Sequence, residues 1–214
     1  VEDLELGSDS HVLDVGCGIG GAARLMAHTT GCRVTGVDLT SDFVSAAGEL
    51  SVLVGLDSRT SFEVASALDL PFGPGSFDAA TMFHVGMNIE DKHQLMAELA
   101  RVVRSGGAVA VYDIMATGDA PLRYPLPWAT DASTSFVASA DEYRAAMGAA
   151  GLVPREPVNR LELVGAAIAA TQAHPPPVNL GHLMGPGWPE MFANLRDALQ
   201  AEAVAPTQII ATVP

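Results

Sequence analysis

The sequence predicts an α/β fold, in which a doubly wound and mostly parallel sheet of seven strands carries helices on both faces. Short apolar runs alternate with amphipathic stretches through the first half of the 214 residues, as expected for successive β-α-β units. Proline-rich segments interrupt the second half, and a final apolar run is expected to add one antiparallel strand. No linker or internal repeat divides the chain. Residues 1–214 are therefore predicted to form a single domain with two halves, 1–115 and 116–214.

The first half contains five predicted strands and three predicted helices. The strands are HVLDV (11–15), CRVTGVD (32–38), SFEVA (61–65), SFDAATMFHV (76–85) and AVAVYDIM (108–115). The helices are GGAARLMAHTT (20–30), DFVSAAGELSVLVGL (42–56) and DKHQLMAELARVVRS (91–105). Thr40 or Ser41 is expected to cap the second helix by accepting a backbone N–H. Gly31 is expected to end the first helix, and Gly106 and Gly107 the third.

The second half is less regular. An irregular segment over 116–135 precedes a predicted helix over 139–151, for which Ser139 is the expected N-cap. The remaining elements are a strand with a proline break (152–163), a helix (164–172), a second proline cluster (174–189), a helix (190–203) and a final strand (207–213). Because long irregular segments in a compact domain commonly carry function, these insertions are expected to form the substrate side.

The composition limits the partners and the location. The chain has 25 acidic and 11 basic side chains and a formal net charge of -14, which disfavours binding to nucleic acid or to anionic membranes. No run reaches the ~18 apolar residues of a membrane span and no signal segment is recognisable, so the expected location is the cytoplasm. Cys17 and Cys32 suggest neither a disulfide framework nor a metal site.

The stretch HVLDVGCGIGG, residues 11–21, predicts a Rossmann-like nucleotide-binding turn. Gly16, Gly18 and Gly21 satisfy the pattern G-x-G-x-x-G. Asp38 follows 22 residues after Gly16, at the end of the second strand, where a carboxylate can accept hydrogen bonds from ribose hydroxyls. Within the turn, the small side chain of Cys17 is the simplest reason for its presence, and a reactive thiol is the alternative. These features alone also fit a dinucleotide-dependent dehydrogenase.

Asp14 separates the candidate ligands by their charge. A carboxylate two residues before the first glycine would repel a pyrophosphate at the helix N-terminus. The same carboxylate would favour a ligand that lacks phosphates and carries an ammonium group. S-adenosylmethionine is such a ligand, with a ribose, an α-amino acid tail and a sulfonium cation.

The chain also resembles a known family on these residues. VLDVGCGIGG with Asp38, ALDLPFGPGSFDAATMFHV and ELARVVRSGGAVAVYDI are similar to class I S-adenosylmethionine-dependent methyltransferases, over residues 12–115. YPLPWATDASTSF and MFANLRDAL are similar to the small-molecule branch that includes sarcosine and dimethylglycine N-methyltransferases. The resemblance implies an enzyme that transfers a methyl group from S-adenosylmethionine to a small-molecule acceptor and releases S-adenosylhomocysteine.

The same resemblance implies a set of cofactor-binding residues. They are Asp14, Gly16, Cys17, Gly18, Gly20, Asp38, Leu39, Ser66, Ala67, Leu68 and Phe83. The turn would surround the methionine part, with backbone N–H groups and close approach at glycine, while Asp38 would hold the ribose and Leu39 would pack on the adenine. The segment from Ser66 would contact the adenine, although many relatives carry an aspartate there. Relatives also often carry a polar amide at the position of Phe83.

The acceptor site is expected next to the transferred methyl group. His84 at the end of the fourth strand would accept or orient the acceptor's proton, and its alternative is an ordinary packed histidine. The proline-rich segments offer Tyr124, Trp128, Phe136, His182, Met184 and Trp188 as walls of the pocket, with lid packing as the alternative for each. Arg123 is the candidate partner for an acceptor carboxylate.

Several alternatives remain open at the level of the whole protein. A nicotinamide-dependent oxidoreductase and a cofactor-binding module without catalysis are the competing functions. Methyl transfer requires alignment more than acid–base chemistry, so no metal and no clear catalytic dyad are expected. The oligomeric state is predicted to be a monomer or a homodimer.

Overall fold

The central sheet has the strand order β3-β2-β1-β4-β5-β8-β6, with β7 also paired to β8. It is seen in a computed structural model that describes residues 2–174 and 178–214. The strands are β1 His11–Val15, β2 Arg33–Asp38, β3 Thr60–Val64, β4 Phe77–Phe83, β5 Val103–Ala116, β6 Val153–Pro154, β7 Val158–Asn159 and β8 Val204–Thr212. β1 to β5 pair in parallel, and β8 runs antiparallel to β5, which confirms the predicted mostly parallel sheet with an antiparallel last strand.

The predicted strand with a proline break occurs as two short pieces. β6 pairs with the carboxyl end of β8, and β7 pairs with Gln208 and Thr207 of the same strand. The pieces therefore share one position beside β8, which gives the sheet seven positions as predicted. The prediction is wrong for residues 161–163, which belong to the next helix. The side chain of Asn159 accepts a hydrogen bond from the Leu161 backbone N–H at 2.8 Å and so helps that helix to start.

Helices cover both faces of the sheet. They are α1 Gly21–Thr30, α2 Ser41–Leu53, α3 Lys92–Val102, α4 Ala140–Ala149, α5 Leu161–Ala173, α6 Leu180–Met184 and α7 Trp188–Gln200. Alternation along β1 shows the two faces, since Val12 packs with α1 and Leu13 packs with α3 and α4. On the α1 side, α7 packs near the end of β5 around Ile114. The sheet is thus doubly wound, as the sequence predicts.

Some predicted helix boundaries are wrong by a few residues. α3 ends at Val102 instead of 105, because Val103 already pairs with Phe77 as the first residue of β5. Thr40 stands at the N-cap of α2, but its side chain makes no capping hydrogen bond. Asp38 accepts a hydrogen bond from the Thr40 backbone N–H instead, at 2.9 Å. The expected hydroxyl cap is therefore not formed by Thr40, and the Asp38 carboxylate instead accepts from the N–H of the N-cap residue itself.

The irregular segments are tied to the helices of the second half. Ser139 caps α4 as predicted, in a reciprocal capping box with Glu142. The side chain of Asn194 in α7 donates a hydrogen bond to the carbonyl oxygen of Pro125 at 2.9 Å. The indole N–H of Trp128 donates to the hydroxyl of Ser135 at 2.9 Å. These contacts place the first proline-rich segment beside α7, at the carboxyl edge of the sheet.

Candidate active site

Three aspartates lie toward the carboxyl ends of strands in the middle of the sheet. Asp14 is the fourth residue of β1, Asp38 ends β2, and Asp113 lies near the end of β5. In parallel α/β sheets this edge forms the crevice in which ligands bind. The loops that leave the same edge are the glycine turn, the segment after β4 and the first proline-rich segment. This edge is the candidate active site.

The glycine turn is held by hydrogen bonds from its own amides. The backbone N–H groups of Gly16 and Cys17 both donate to the carbonyl oxygen of Val37, at 2.8 and 3.0 Å. The N–H of Gly18 donates to the Asp38 carboxylate at 2.9 Å. The sequence-based prediction assigned the backbone N–H groups of this turn to the ligand. In the structure the N–H groups of Gly16 and Gly18 already donate to residues of β2. What these two glycines offer a ligand is close approach.

Gly16 shows why the turn requires glycine. Its φ is +68°, and a Cβ atom there would lie 2.2 Å from the nearest side-chain carbon of Val85. Gly18, by contrast, faces open space, since a Cβ atom there would meet nothing within 4 Å. The turn is thus packed against the segment after β4 on one side and open on the other.

Asp14 carries a buried carboxylate oxygen without a partner. The residue is only 1% exposed, and its Oδ1 atom accepts a hydrogen bond from the Thr81 hydroxyl at 3.0 Å. Its Oδ2 atom has no hydrogen-bond donor among the described residues. Burial raises the pKa of Asp14 to about 7, against the partial opposition of the Thr81 hydroxyl and of the Ala23 backbone N–H in the first turn of α1. The Ala23 N–H lies outside hydrogen-bond geometry with Oδ2, so it offsets the cost of burial only in part. A cationic donor reaching Oδ2 would compensate this carboxylate.

Asp38 keeps acceptor capacity while it holds the turn. One oxygen accepts the Gly18 N–H and the other accepts the Thr40 N–H, both at 2.9 Å. A carboxylate has about four lone-pair sites, so two remain for hydroxyl groups of a ligand. Beside it, Leu39 is 73% exposed, which leaves its apolar side chain available to a flat ring system. Both placements suit the roles predicted for these residues.

The segment from Ser66 to Leu68 makes hydrogen bonds and packing contacts within the protein. It lies at the same edge, since the N–H of Ala65 donates to the Asp38 carbonyl oxygen at 3.1 Å. The hydroxyl of Ser66 accepts a hydrogen bond from the Leu68 N–H at 3.1 Å. Ala67 and Leu68 pack against the core on the α3 side. Ala67 and Leu68 are thus partly buried against the core, and the adenine contact predicted for Ser66, Ala67 and Leu68 stays a prediction.

Cys17 is a packing residue in a buried position. Burial raises the pKa of its thiol to about 12, so the thiol stays protonated at neutral pH. Its Cβ and Sγ atoms fill the space beside Gly36, where a Cβ atom would lie 2.8 Å from each of them. The environment therefore supports the small-side-chain interpretation over the reactive thiol.

A cavity of about 490 Å³ opens beside the end of β5. Its lining includes four of the residues predicted for the acceptor site: His84, Trp128, Met184 and Trp188. The predicted wall residue Tyr124 is not part of this lining, and neither are Arg123, Phe136 and His182. Phe136 instead offers its carbonyl oxygen to Lys92, and His182 completes a capping box at the start of α6. Of the residues predicted for the acceptor site, the structure thus brings His84, Trp128, Met184 and Trp188 together around one cavity.

Further lining residues were missed by the sequence-based prediction. Phe192, Leu195 and Leu199 of α7 face the cavity, together with Val164 and Ile168 of α5. Their spacing of three and four residues along α7 is the pattern of one helical face. That pattern could have indicated a lining helix, but an apolar face of this kind predicts core packing just as well.

The charge of the cavity lining is low. Among the described residues of the lining, the ionisable side chains are Arg196 at the rim, His84 and Tyr112, and none is a carboxylate. Arg196 is 59% exposed in its side chain and lies 3.9 Å from Asp197. Most of the remaining wall is aliphatic, aromatic or thioether. Such a wall suits a largely apolar ligand.

His84 occupies a strained position at the end of β4. Its φ is +58°, which is uncommon for a residue other than glycine. Its backbone N–H donates to the Tyr112 carbonyl oxygen at 2.8 Å, and its ring contacts the Tyr112 ring edge-on at 4.8 Å between centroids. Desolvation by the surrounding protein atoms lowers the pKa of the imidazole, although His84 keeps an exposed surface. The ring is therefore neutral at pH 7 and can accept a proton.

Phe83, the last residue of β4, lies on the α1 side of the sheet. Its half-buried side chain packs against the apolar cluster around α1. It also lines a second cavity of about 520 Å³ on the same face of the sheet, with Thr81, Tyr112 and Arg160 among the other walls. Its predicted cofactor contact stays a prediction.

Two kinds of feature are absent from the described ranges, 2–174 and 178–214. None of the helices there is long and apolar enough to cross a membrane. The same residues contain no group of three or more histidine, cysteine or acidic side chains that could hold a metal ion.

Comparison with known proteins agrees with this geometry. Residues 13–111 match a family profile described as "Methyltransferase domain". The matched range begins in β1 and ends in β5, so it includes the glycine turn and all five parallel strands. Residues 13–111 are thus similar to methyltransferase domains, in agreement with the resemblance seen in the sequence.

Individual relatives extend the comparison. Methyltransferase GfsG of Streptomyces halstedii is 37% identical over 117 residues, which are 55% of this chain and 42% of that protein. Sarcosine/dimethylglycine N-methyltransferase of Halorhodospira halochloris is 33% identical over 117 residues, with the same two shares. In both cases the aligned segment is less than half of the relative's length.

A solved structure shares the fold over the whole chain. Geranyl diphosphate C-methyltransferase from Streptomyces coelicolor, in complex with Mg²⁺, geranyl diphosphate and S-adenosyl-L-homocysteine, superposes with a TM-score of 0.78 at 22% identity. The superposition covers 100% of this chain and 76% of that one. It confirms the predicted architecture, including the second half.

The raised pKa of Asp14 predicts a pH-dependent stability of the ligand-free protein. The folded state binds the Asp14 proton more tightly than the unfolded state, whose pKa is near the ordinary 3.8. Its favourable contribution is therefore complete below pH 3.8 and is lost as the pH rises through about 7. Asp14→Asn removes the ionisation, so its free energy of unfolding relative to wild type should rise on the order of 1–3 kcal/mol between about pH 5 and about pH 8.

Urea unfolding of both proteins at several pH values measures this difference. Asp57→Asn is the matched control, because Asp57 is an exposed aspartate in the loop before β3. Its difference from wild type should stay constant over the same range. A constant difference for Asp14→Asn as well would show that Asp14 ionises as in the unfolded chain.

Proposed function

We propose that this protein is an S-adenosylmethionine-dependent methyltransferase that acts on a small-molecule acceptor. The observation that carries the proposal is the unpartnered Oδ2 atom of Asp14, buried beside a glycine turn that is open at Gly18. The similarity of residues 13–111 to methyltransferase domains and the cavity beside β5 support it. Together they offer a place for the methyl donor and an adjoining place for the acceptor.

The residues present suit S-adenosylmethionine better than a dinucleotide. Asp14 would receive the ammonium group of the methionine part, directly or through water, and Asp38 would receive the ribose hydroxyls. A pyrophosphate at the N-terminus of α1 would lie close to the Asp14 carboxylate and be repelled. This charge argument disfavours the competing nicotinamide-dependent oxidoreductase.

The protein's own residues would align the acceptor and remove its proton. When bound, the sulfonium supplies an activated methyl group and an uncharged leaving group. Neutral His84 faces the cavity and can accept the proton that an acceptor hydroxyl loses as its oxygen forms the new bond to carbon. The aromatic and aliphatic walls exclude water, which would otherwise compete for the hydroxyl. Most of the rate enhancement is then expected from alignment.

The cavity lining favours a neutral and largely apolar acceptor that carries a hydroxyl group. None of the described lining residues carries a carboxylate to pair with a cationic amine, and Arg196, the one guanidinium among them, is at the rim. Arg123, predicted to receive an acceptor carboxylate, is outside the lining. A zwitterion such as sarcosine would therefore lose hydration without gaining a partner at each charge. A phenol or alcohol on an apolar body would bury its surface against Trp188 and Phe192.

Two further points of the sequence-based interpretation remain proposals. The net charge of -14 supports action without nucleic acid or membrane partners. The cytoplasmic location and a monomeric or homodimeric state are proposed from the sequence alone. Light scattering of the purified protein would measure the oligomeric state.

Ligand binding tests the cofactor part of the proposal. Isothermal titration calorimetry of S-adenosylhomocysteine should give a dissociation constant in the micromolar range, and NAD should give no heat of binding. Asp14→Asn should weaken S-adenosylhomocysteine by about tenfold or more, because the ammonium loses its charged partner.

Asp57→Asn should bind S-adenosylhomocysteine as wild type does. Binding of NAD instead of S-adenosylhomocysteine would refute the cofactor assignment. Unchanged affinity of Asp14→Asn would refute the role of Asp14 while leaving the cofactor assignment intact.

Methyl transfer to defined acceptors tests the role of His84 and the acceptor class. With S-adenosylmethionine present, 1-naphthol and related phenols should give S-adenosylhomocysteine faster than sarcosine does. His84→Ala should lower kcat/KM for the phenol by about 10²- to 10³-fold, because the proton acceptor is lost. Mass spectrometry of both products measures the reaction.

His28→Ala is the control, since His28 is an exposed histidine near the end of α1. It should leave kcat/KM unchanged. Faster methylation of sarcosine would contradict the acceptor class, and a wild-type rate for His84→Ala would remove its role in proton transfer.

A further inference from the structure

The segment from His84 to Ile89 connects the acceptor cavity with the centre of the protein. It follows β4, begins with the cavity residue His84 and contains the short 3-10 helix Gly86–Asn88. Val85 packs over the glycine turn, as the contact with Gly16 shows. Because His84 is the first residue of this segment, contacts that hold the segment's backbone also constrain the position from which the His84 side chain extends.

Asp113 of β5 and Tyr143 of α4 contact the buried side of this segment. Both side chains are fully buried, with 0% exposure. The Asp113 Oδ2 atom accepts hydrogen bonds from the Tyr143 hydroxyl at 2.7 Å and from the Met87 backbone N–H at 3.0 Å. The second of these bonds is to the main chain of the segment itself, three residues after His84. The pair thus connects β5 and α4 to the backbone of the segment.

Gly86 allows the close approach that this arrangement needs. A Cβ atom on Gly86 would lie 2.0 Å from the Tyr143 hydroxyl oxygen and 2.7 Å from Asp113 Oδ2. Both distances are far below van der Waals contact. The backbone at Gly86 therefore rests directly on the Asp113–Tyr143 pair, with no side chain between them.

Lys92 and Phe136 fix the far end of the same segment. The Phe136 backbone N–H donates to the Met87 carbonyl oxygen at 2.8 Å. The Lys92 ammonium donates to the carbonyl oxygens of Ile89 and Phe136, and it lies 5.6 Å from the centroid of the Tyr143 ring. Tyr143 thus contacts the anchors at both ends, through its hydroxyl and through its ring.

We propose that Asp113 and Tyr143 are positioning residues, which hold the segment after β4 so that His84 faces the acceptor cavity. The inference rests on the proposed function only in the role that it gives to His84. A buried carboxylate and phenol cost more to desolvate than an apolar pair of equal size, so their presence requires compensating hydrogen bonds. Two of these bonds meet at Asp113 Oδ2, and one of them comes from the segment's backbone. The positive φ of His84 also requires support from its surroundings.

The test removes one hydroxyl group and follows His84 directly. Tyr143→Phe keeps the ring in the core and its contact with Lys92, but leaves Asp113 Oδ2 with the Met87 N–H alone. The His84 imidazole pKa, measured by NMR in the ligand-free protein, should rise toward the ordinary value of about 6.5 as the ring loses its contact with Tyr112 and gains hydration. The kcat/KM for 1-naphthol should fall by about tenfold or more, while the affinity for S-adenosylhomocysteine stays within about twofold.

Thr60→Val is the matched control for a lost buried hydroxyl. Thr60 lies at the start of β3, and its hydroxyl donates to the Leu56 carbonyl oxygen at 3.0 Å. This variant should leave the His84 pKa and kcat/KM unchanged. If Tyr143→Phe leaves the His84 pKa unchanged, or if Thr60→Val shifts it equally, the positioning role is refuted.

A second variant keeps the test decisive if Tyr143→Phe does not fold. Asp113→Asn retains one oxygen that can accept from Tyr143 or from the Met87 N–H, so it should shift the His84 pKa in the same direction by a smaller amount. A wild-type His84 pKa in Asp113→Asn would then refute the proposal. Failure of wild type to bind S-adenosylhomocysteine would instead refute the proposed function, because the His84 pKa can be measured without ligand.

Discussion

The site depends on the buried carboxylate of Asp14, in which Oδ1 accepts a hydrogen bond from Thr81 and Oδ2 has no hydrogen-bond partner among the described residues. A buried carboxylate oxygen without a donor is costly, and the protein accepts this cost beside a turn that is open to a ligand. Residues near it satisfy their own polar groups, since the first amides of the turn donate to Val37 and Asp38. The ligand expected there is one that brings a cation to Asp14 and hydroxyls to Asp38, which is the chemistry of S-adenosylmethionine.

The strand-end aspartates perform different tasks with the same functional group. Asp38 uses both oxygens to hold the glycine turn and the start of α2. Asp113 holds the segment after β4 through the Met87 N–H and is itself held by Tyr143. Asp14 alone among the three retains an oxygen without a donor. Two carboxylates thus shape the walls of the crevice, and the third is left for the ligand.

The sequence predicted what depends on local pattern, namely the strands, the glycine turn and the two aspartates around it. It could not predict the Asp113–Tyr143 contact, which joins residues 30 positions apart and is defined only by packing. The packing of Ala67 and Leu68 against the core on the α3 side also depends on contacts that the local sequence pattern does not encode. Tyr124 was assigned to the acceptor site from its place in a proline-rich segment, whereas the geometry of α7 decides which residues line the cavity.

Proton release on ligand binding tests the role of Asp14 most directly. An ammonium group placed at Oδ2 should lower the Asp14 pKa from about 7, so S-adenosylhomocysteine binding near neutral pH should release a fraction of a proton. Calorimetric titrations near pH 7, in buffers of different ionisation enthalpy, measure this number. We expect a clear dependence of the binding enthalpy on the buffer for wild type and none for Asp14→Asn. A buffer-independent enthalpy for wild type would contradict the pairing of Asp14 with the ligand's ammonium group.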